Sequence, residues 1–263
     1  MEKKFLSSLS RLVGGDRSAA AQPAATVESA DNLQTDLSLK TAYLSAMRIF
    51  RDLSPDDMKM VVESTVMTTA KKGKVIYMPG ETGEVLFLLK KGSVHLYRLS
   101  SEGRKLIVQT VGPMTFFGEM AVVGQNMQDL FAEAAEECLV CVMGRPDVER
   151  LMLSKPQVAL RMLEEIGQRM HDVQERLGDS AFKGIPARVA SLLLKLSDDG
   201  AQPIKGTTHQ DLADMLGVYR ETVTNALDSL RDQGLIEVRR KEIIVLKPEQ
   251  LQDVAEQEAL RRR

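Results

Sequence analysis

The chain has 263 residues, 43% of them hydrophobic and 27% charged, with a formal net charge of −2. That length has room for two domains with separate cores, and the near-neutral balance excludes bulk basicity as a route to nucleic acid, so charge has to be read locally. Two cysteines, Cys138 and Cys141, make no disulfide framework. With no secretory segment or long apolar run, the expected setting is a reducing cytoplasm without stable membrane insertion.

Residues 1–15, MEKKFLSSLSRLVGG, carry Phe5, Leu6, Leu9, Leu12 and Val13 at helical spacing beside Lys3, Lys4 and Arg11. The stretch is short for an isolated helix, so it reads as a frayed tail or as a segment that docks on a membrane surface or a partner. Residues 18–32, small and polar with Pro23, read as a linker. Together these set residues 1–38 apart as a flexible extension.

From Thr41 to Thr65 the pattern is helical, interrupted by LSPDD, where Ser54 can cap a helix starting at Pro55. The texture then changes to short β-type runs punctuated by Gly73, Gly80, Gly83, Gly92, Gly103, Gly112 and Gly118. Such runs with regular turn signals predict an antiparallel barrel or sandwich over residues 39–154. SEGR reads as the turn of a hairpin, and CLVCVM as a late strand that puts Cys138 and Cys141 on opposite faces as core thiols.

Residues 156–178 return to a helix. Leu163, Ile166, Met170, Val173 and Leu177 are spaced by three and four, which is a coiled-coil seam of about two heptads. The competing reading is a helix packed on its own domain. The narrow stripe with Glu164, Arg169, Glu175 and Arg176 beside it favours helix pairing, so residues 155–179 are expected to form a homodimer interface.

Residues 180–263 carry the most specific pattern. After the amphipathic ARVASLLLKL, Thr208 can cap a helix with Asp211 three residues on, as in a capping box. Leu212, Ala213 and Leu216 form its buried side, and Gly217 suits a sharp turn. A second helix runs from Arg220 to Gln233, buries Val223, Ala226, Leu227 and Leu230, and ends before Gly234. LIEV and IIVL then pair as a hairpin tipped by RRKE. This is a winged helix-turn-helix, whose second helix enters the major groove with its N-terminal residues on base edges.

Arg220, Glu221, Thr224, Asn225 and Asp228 share the outer face of that helix. Arginine can pair with guanine, glutamate can accept from cytosine, and asparagine can pair with adenine. Arg220, Glu221, Thr224 and Asn225 are the candidate base readers. Arg239, Arg240 and Lys241 on the wing are candidate phosphate contacts, which position without specifying. A small helical domain with a merely solvated face is the alternative, but cap, turn glycine, exposed code and wing agree with one another.

The order of parts resembles the CRP/FNR family of bacterial transcription regulators over roughly residues 40–248: a β-barrel sensor, a long dimer helix and a winged helix. The most specific segment is RETVTNALDSLRDQGLI, and GEM, KKGSVHLYRL and YMPGE match the barrel. The implied fold class is α+β, with a jelly-roll barrel like those that bind cyclic nucleotides. The implied partners are double-stranded DNA at a palindromic operator, a second copy of the chain, and RNA polymerase, with activation as the expected mode. The family's arginine and following glutamate match Arg220 and Glu221, while its second arginine is replaced by Asn225. Its capping serine is replaced by Tyr219. Thr208, His209, Gln210, Tyr219 and Thr222 fall at or beside its backbone-contacting positions.

The resemblance also locates an effector pocket. Cyclic-AMP-binding members grip the phosphate with a Gly-Glu pair, present as Gly118 and Glu119, and then an Arg-Ser pair, whose positions fall on Gln128 and Asp129. Hydroxyls on the dimer helix that contact the purine are replaced by Val173 and Gln174. A cyclic phosphate would lose its bidentate cation and meet a carboxylate, so the turn reads as retained scaffold and cyclic AMP is not expected to bind. A cyclic dinucleotide is the alternative effector, with Lys90, Lys91, Arg98, Arg104 and Lys105 as candidate cations. Neither an iron–sulfur cluster nor haem is expected: residues 1–137 hold no cysteine, and His95 and His171 read as surface or packed side chains. No nucleophile–base pair or phosphate loop suggests an enzyme, so the remaining rival is a protein-interaction adaptor.

Overall fold

A computed structural model of the protein describes residues 30–79, 85–118 and 130–256, with residues 30–36 described by their backbone only. The chain divides into two compact units, one of residues 1–97 and 109–166, the other of residues 98–108 and 167–263.

The first unit opens with α1 (Ala30–Ala46), which starts inside the stretch read from sequence as linker. Leu44 and Met47 are fully buried at its far end, and the residues before them contain no glycine or proline, so the anchored turn propagates backwards. α2 (Pro55–Glu63) begins as expected: the Ser54 hydroxyl accepts from the Asp57 amide, with Asp56 and Asp57 in the first turn. The helix stops short of Thr65, which instead opens β1 (Thr65–Ala70). TVMTT is rich in β-branched residues, whose stiff side chains favour a strand.

The strands that follow are β2 (Val75–Tyr77), β3 (Val85–Lys91), β4 (Val94–Leu99), β5 (Lys105–Val111), β6 (Thr115–Phe117), β7 (Phe131–Ala134) and β8 (Cys138–Gly144). They form two four-stranded sheets, in the orders β1-β8-β3-β6 and β2-β7-β4-β5. The recorded strand pairs are antiparallel, as expected. The short β7 was not legible in the sequence, because FAEA is too brief to show alternation.

β3 explains its own composition. Leu86 and Leu88 face a cluster with Leu44, Phe50, Val61 and Leu151. Val85, Phe87 and Leu89 face the opposite cluster with Tyr77, Leu96, Phe117 and Val140. Both faces are buried, so the strand reads VLFLL rather than alternating. Burying each such side chain is worth roughly 1.5–3 kcal/mol. Phe87 and Phe117 stack with ring centroids 4.8 Å apart. The cysteines part as expected, Cys141 into the first cluster and Cys138 into the second. Burial pushes the Cys138 thiol up from its ordinary pKa.

Lys90 is a correction. It was grouped with hairpin lysines open to an anionic ligand, yet it is 2% exposed. Its ammonium lies 5.6 Å from the centre of the Tyr43 ring. Lys90 is buried and the next residue, Lys91, is exposed, at the point where the pairing of β3 with β8 shifts register between Leu89 and Lys91.

α3 (Arg145–Ser154) leads into α4 (Pro156–Phe182). α4 runs four residues beyond the seam helix read from sequence, through Gly178. Asp179 and Lys183 pair across its end at 2.9 Å, and Gly178 costs only about 1 kcal/mol in a helix already anchored elsewhere. Within the first unit, Val158 and Met162 of α4 are buried, and Ile166 packs against the same cluster.

The second unit contains α5 (Ile185–Leu196), β9 (Ile204–Lys205), α6 (His209–Leu216), α7 (Arg220–Asp232), β10 (Ile236–Arg239), β11 (Glu242–Val245) and α8 (Pro248–Ala255). Leu193, Leu212, Val223, Leu227, Leu230, Ile236 and Leu251 share its core. The wing strands pair from Ile236↔Val245 to Arg239↔Glu242. β9 adds a third strand to them. Neither β9 nor α8 was read from the sequence: two residues carry no period, and α8 declares itself only through Pro248 at its start and the burial of Leu251 and Ala255.

Candidate nucleic-acid interface

The helix-turn-helix is built as its residues dictate. The Thr208 hydroxyl accepts from the Asp211 amide at 3.1 Å, and the Asp211 carboxylate accepts from the Thr208 amide at 2.8 Å. That is a complete capping box at the start of α6. Gly217 ends α6 in the left-handed region, φ 66°, where a side chain would be strained. Arg188 of α5 donates to the Leu216 carbonyl at 2.6 Å, tying down the turn from behind. Tyr219 then holds the N-cap position of α7 without a side-chain cap, as the loss of the serine implied.

Three of the candidate readers stand open. Arg220, Glu221 and Asn225 are exposed, and the buried face of α7 is Val223, Ala226, Leu227 and Leu230, as expected. Asp228, on the same outer side, is held by Arg231 at 2.6 Å. Thr224 is half-buried and already hydrogen-bonded. Its hydroxyl donates to the Arg220 carbonyl at 3.0 Å and lies 3.0 Å from His209 Nδ1. Spacing put Thr224 on the reading face, but a short hydroxyl also reaches its own helix backbone. Thr224 and His209 therefore join α7 to α6.

The other backbone candidates fall into two groups. Thr208 is engaged in its cap, Gln210 donates to Asp214 at 2.7 Å, and Arg239 forks onto Glu237 at 2.8 and 2.9 Å. That fork holds the Glu237 carboxyl below its ordinary pKa and raises the guanidinium of Arg239. Arg240 and Lys241 are exposed at the wing tip, with Lys241 at φ 63° in the turn, while Thr222 is half-exposed on the first turn of α7.

The hairpin between β4 and β5 supplies contacts that sequence reasoning missed. Its turn is tied by the Ser100 amide donating to the Arg104 carbonyl at 2.9 Å. The Arg104 guanidinium lies 4.8 Å from the centre of the Tyr219 ring. The Tyr219 hydroxyl is 3.4 Å from a Glu102 carboxylate oxygen. Leu106 lies so close to Gly217 that a β-carbon there would sit 2.8 Å from it. No local signal could have linked these residues, which stand more than a hundred positions apart.

On α4, Leu163, Met170, Val173 and Leu177 are exposed, as is Gln174. Ile166, the remaining seam residue, is partly buried on its own unit's core. Of the effector turn, Gly118 has φ 89°, consistent with the tight conformation expected of it. Glu119, Gln128 and Asp129 lie outside the described residues. A cleft of about 940 Å³ opens between the end of α4, α5 and α8, and carries Glu175, Asp179, Asp198, Asp199 and Glu256 against Lys183 and Lys195. That excess of carboxylates suits no phosphate. Among the described residues there is no group of three His, Cys, Asp or Glu side chains that could hold a metal, and no helix long and apolar enough to cross a membrane.

Comparison with known proteins matches residues 67–155 to the cyclic nucleotide-binding domain and residues 187–254 to the Crp-like helix-turn-helix domain. The chain is 27% identical over 207 residues to the cyclic AMP receptor protein of Thermus thermophilus, covering 79% of this chain and 96% of that protein. It is 29% identical over 209 residues to the global nitrogen regulator of a Nostoc species, covering 76% and 92%. Among solved structures, a transcriptional regulator of Thermus thermophilus aligns with TM-score 0.62 and 27% identity, over 74% of this chain and all of the other.

Proposed function

The chain belongs to the CRP/FNR family of transcription regulators, and from that premise we propose that it acts as a homodimer on a palindromic duplex site without requiring cyclic AMP. The observation that carries the DNA reading is the exposure of Arg220, Glu221 and Asn225 at the N-terminal half of α7, on a helix whose opposite side is locked into the core. Two such helices in a dimer would stand about one helical turn apart, roughly 34 Å, and so read a two-fold symmetric site. The dimer reading rests on the apolar strip of α4: Leu163, Met170 and Leu177 are each more than 60% exposed, which is costly for a strip left in water.

The signal is not carried over from relatives. At nearly equal identity one is named for cyclic AMP and another for nitrogen regulation. Gln128 and Asp129 stand where a cyclic phosphate would need Arg-Ser, and Val173 and Gln174 bring no hydroxyl from α4. A regulator of this kind would meet RNA polymerase at its promoters and work in the cytoplasm.

The test is selection of a randomised duplex library by the full-length, ligand-free protein. Enrichment of a palindrome is expected. Failure to enrich any sequence, with or without added nucleotides, would favour the adaptor reading.

A further inference from the structure

Tyr219, like Asn225, stands where this chain departs from the family pattern in the helix-turn-helix, and the structure shows where its side chain goes. It does not cap α7. It lies instead against the tip of the β4–β5 hairpin, with Arg104 over its ring and Glu102 near its hydroxyl. Glu102 and Arg104 also face each other at 3.4 Å, so each partly offsets the charge of the other. Two further contacts bind the same hairpin to the same unit. Leu106 fills the space above Gly217, and Arg176 of α4 donates to the Val108 carbonyl at 2.7 Å.

These contacts converge on the two ends of one turn. Gly217 closes α6 and Tyr219 opens α7, so a hairpin seated on both fixes the direction in which α7 leaves the turn. The seat does not cover the readers, since Arg220, Glu221 and Asn225 remain exposed. A lid over the interface would have buried them. A serine at position 219 would cap the helix from within but could not reach the hairpin. The aromatic ring exchanges that local bond for a contact with residues of the barrel sequence.

We propose that Arg104, Glu102 and Leu106 are positioning residues for DNA recognition, acting through Tyr219 and Gly217 to hold the N-terminus of α7 at its reading angle. This rests on the DNA-binding reading above. Arg104 is not itself a phosphate contact: its guanidinium is engaged on one side by the tyrosine ring and near the Glu102 carboxylate.

The experiment uses the full-length protein and the duplex it selects, with Arg104→Ala, Tyr219→Ser and the double variant. Each single change is expected to weaken binding about three- to tenfold, the range of a partly exposed cation–π contact together with the packing it holds. The double variant should be no weaker than Tyr219→Ser alone, because the two residues act as a unit. The slope of log affinity against log salt should stay unchanged in Arg104→Ala, since no phosphate contact is lost. A slope reduced by about one would make Arg104 a phosphate contact and overturn the proposal. So would additive effects, or tighter binding by Arg104→Ala, which would mark the contact as a restraint. Hydrogen exchange of the Val218–Val223 amides without DNA separates this proposal from the DNA reading. Faster exchange in Arg104→Ala and Leu106→Ala is expected even if no operator is found, and unchanged exchange would overturn the hairpin's role.

Discussion

Asn225 is the residue at which the proposed base reading departs from the family pattern. It lies one helical turn beyond Glu221 on the exposed side of α7, where the family resemblance places a second arginine. An asparagine can accept from the adenine N6 amine and donate to N7, an arginine can donate to both N7 and O6 of guanine, and such a pair is worth about 1–3 kcal/mol of discrimination. Replacing Asn225 with Arg should therefore shift the preferred base at one position of each half-site towards guanine and leave the Arg220 and Glu221 positions unchanged, read by repeating the library selection. An unaltered site would remove Asn225 from the base-reading set. Residue identities on this face were legible because helical spacing fixes which side chains share it. Hydroxyl engagement was not: Thr224 belongs to the same face by spacing, yet bonds to the Arg220 carbonyl beside His209. Only coordinates show which of several acceptors a short hydroxyl has reached.

At the scale of elements, α4 serves two purposes along its length. Its first part is a core helix, with Val158 and Met162 buried and Ile166 packed beside them. Its later part offers Met170, Val173 and Leu177 to solvent. The seam spacing is the same in both, so the pattern alone could not tell intramolecular packing from pairing. In the proposed dimer, Met170→Asp should give monomer in analytical ultracentrifugation and weaken binding to the proposed palindrome, since burial of such a side chain is worth roughly 1.5–3 kcal/mol in each subunit. A variant that stays dimeric would move the interface elsewhere. The starts of the capped helices, α2 and α6, were legible to the residue, because Ser54 and Thr208 announce themselves next to acidic partners. β7 and β9 were not, because two to four residues cannot display a period.

For the whole molecule, the open question of control comes down to whether the barrel takes a ligand. If cyclic AMP bound, it would stabilise the native state by about 2.7 kcal/mol at a hundredfold excess over its Kd. The expectation is that millimolar cyclic AMP changes neither the melting temperature nor operator affinity. A tenfold gain in affinity would overturn the reading of Gln128 and Asp129. The sequence by itself determined the order of parts, the antiparallel sheets, the winged helix and the placement of Arg220 and Glu221 on the outer face of α7. These follow from periodicity, caps and turn glycines, which act over a few residues. Only the tertiary structure decided that Lys90 turns inward, that Ile166 belongs to the core, and that Tyr219 meets Glu102 and Arg104. Those contacts join residues far apart in the chain, and which distant groups meet depends on how the strands and helices pack, which no local pattern encodes.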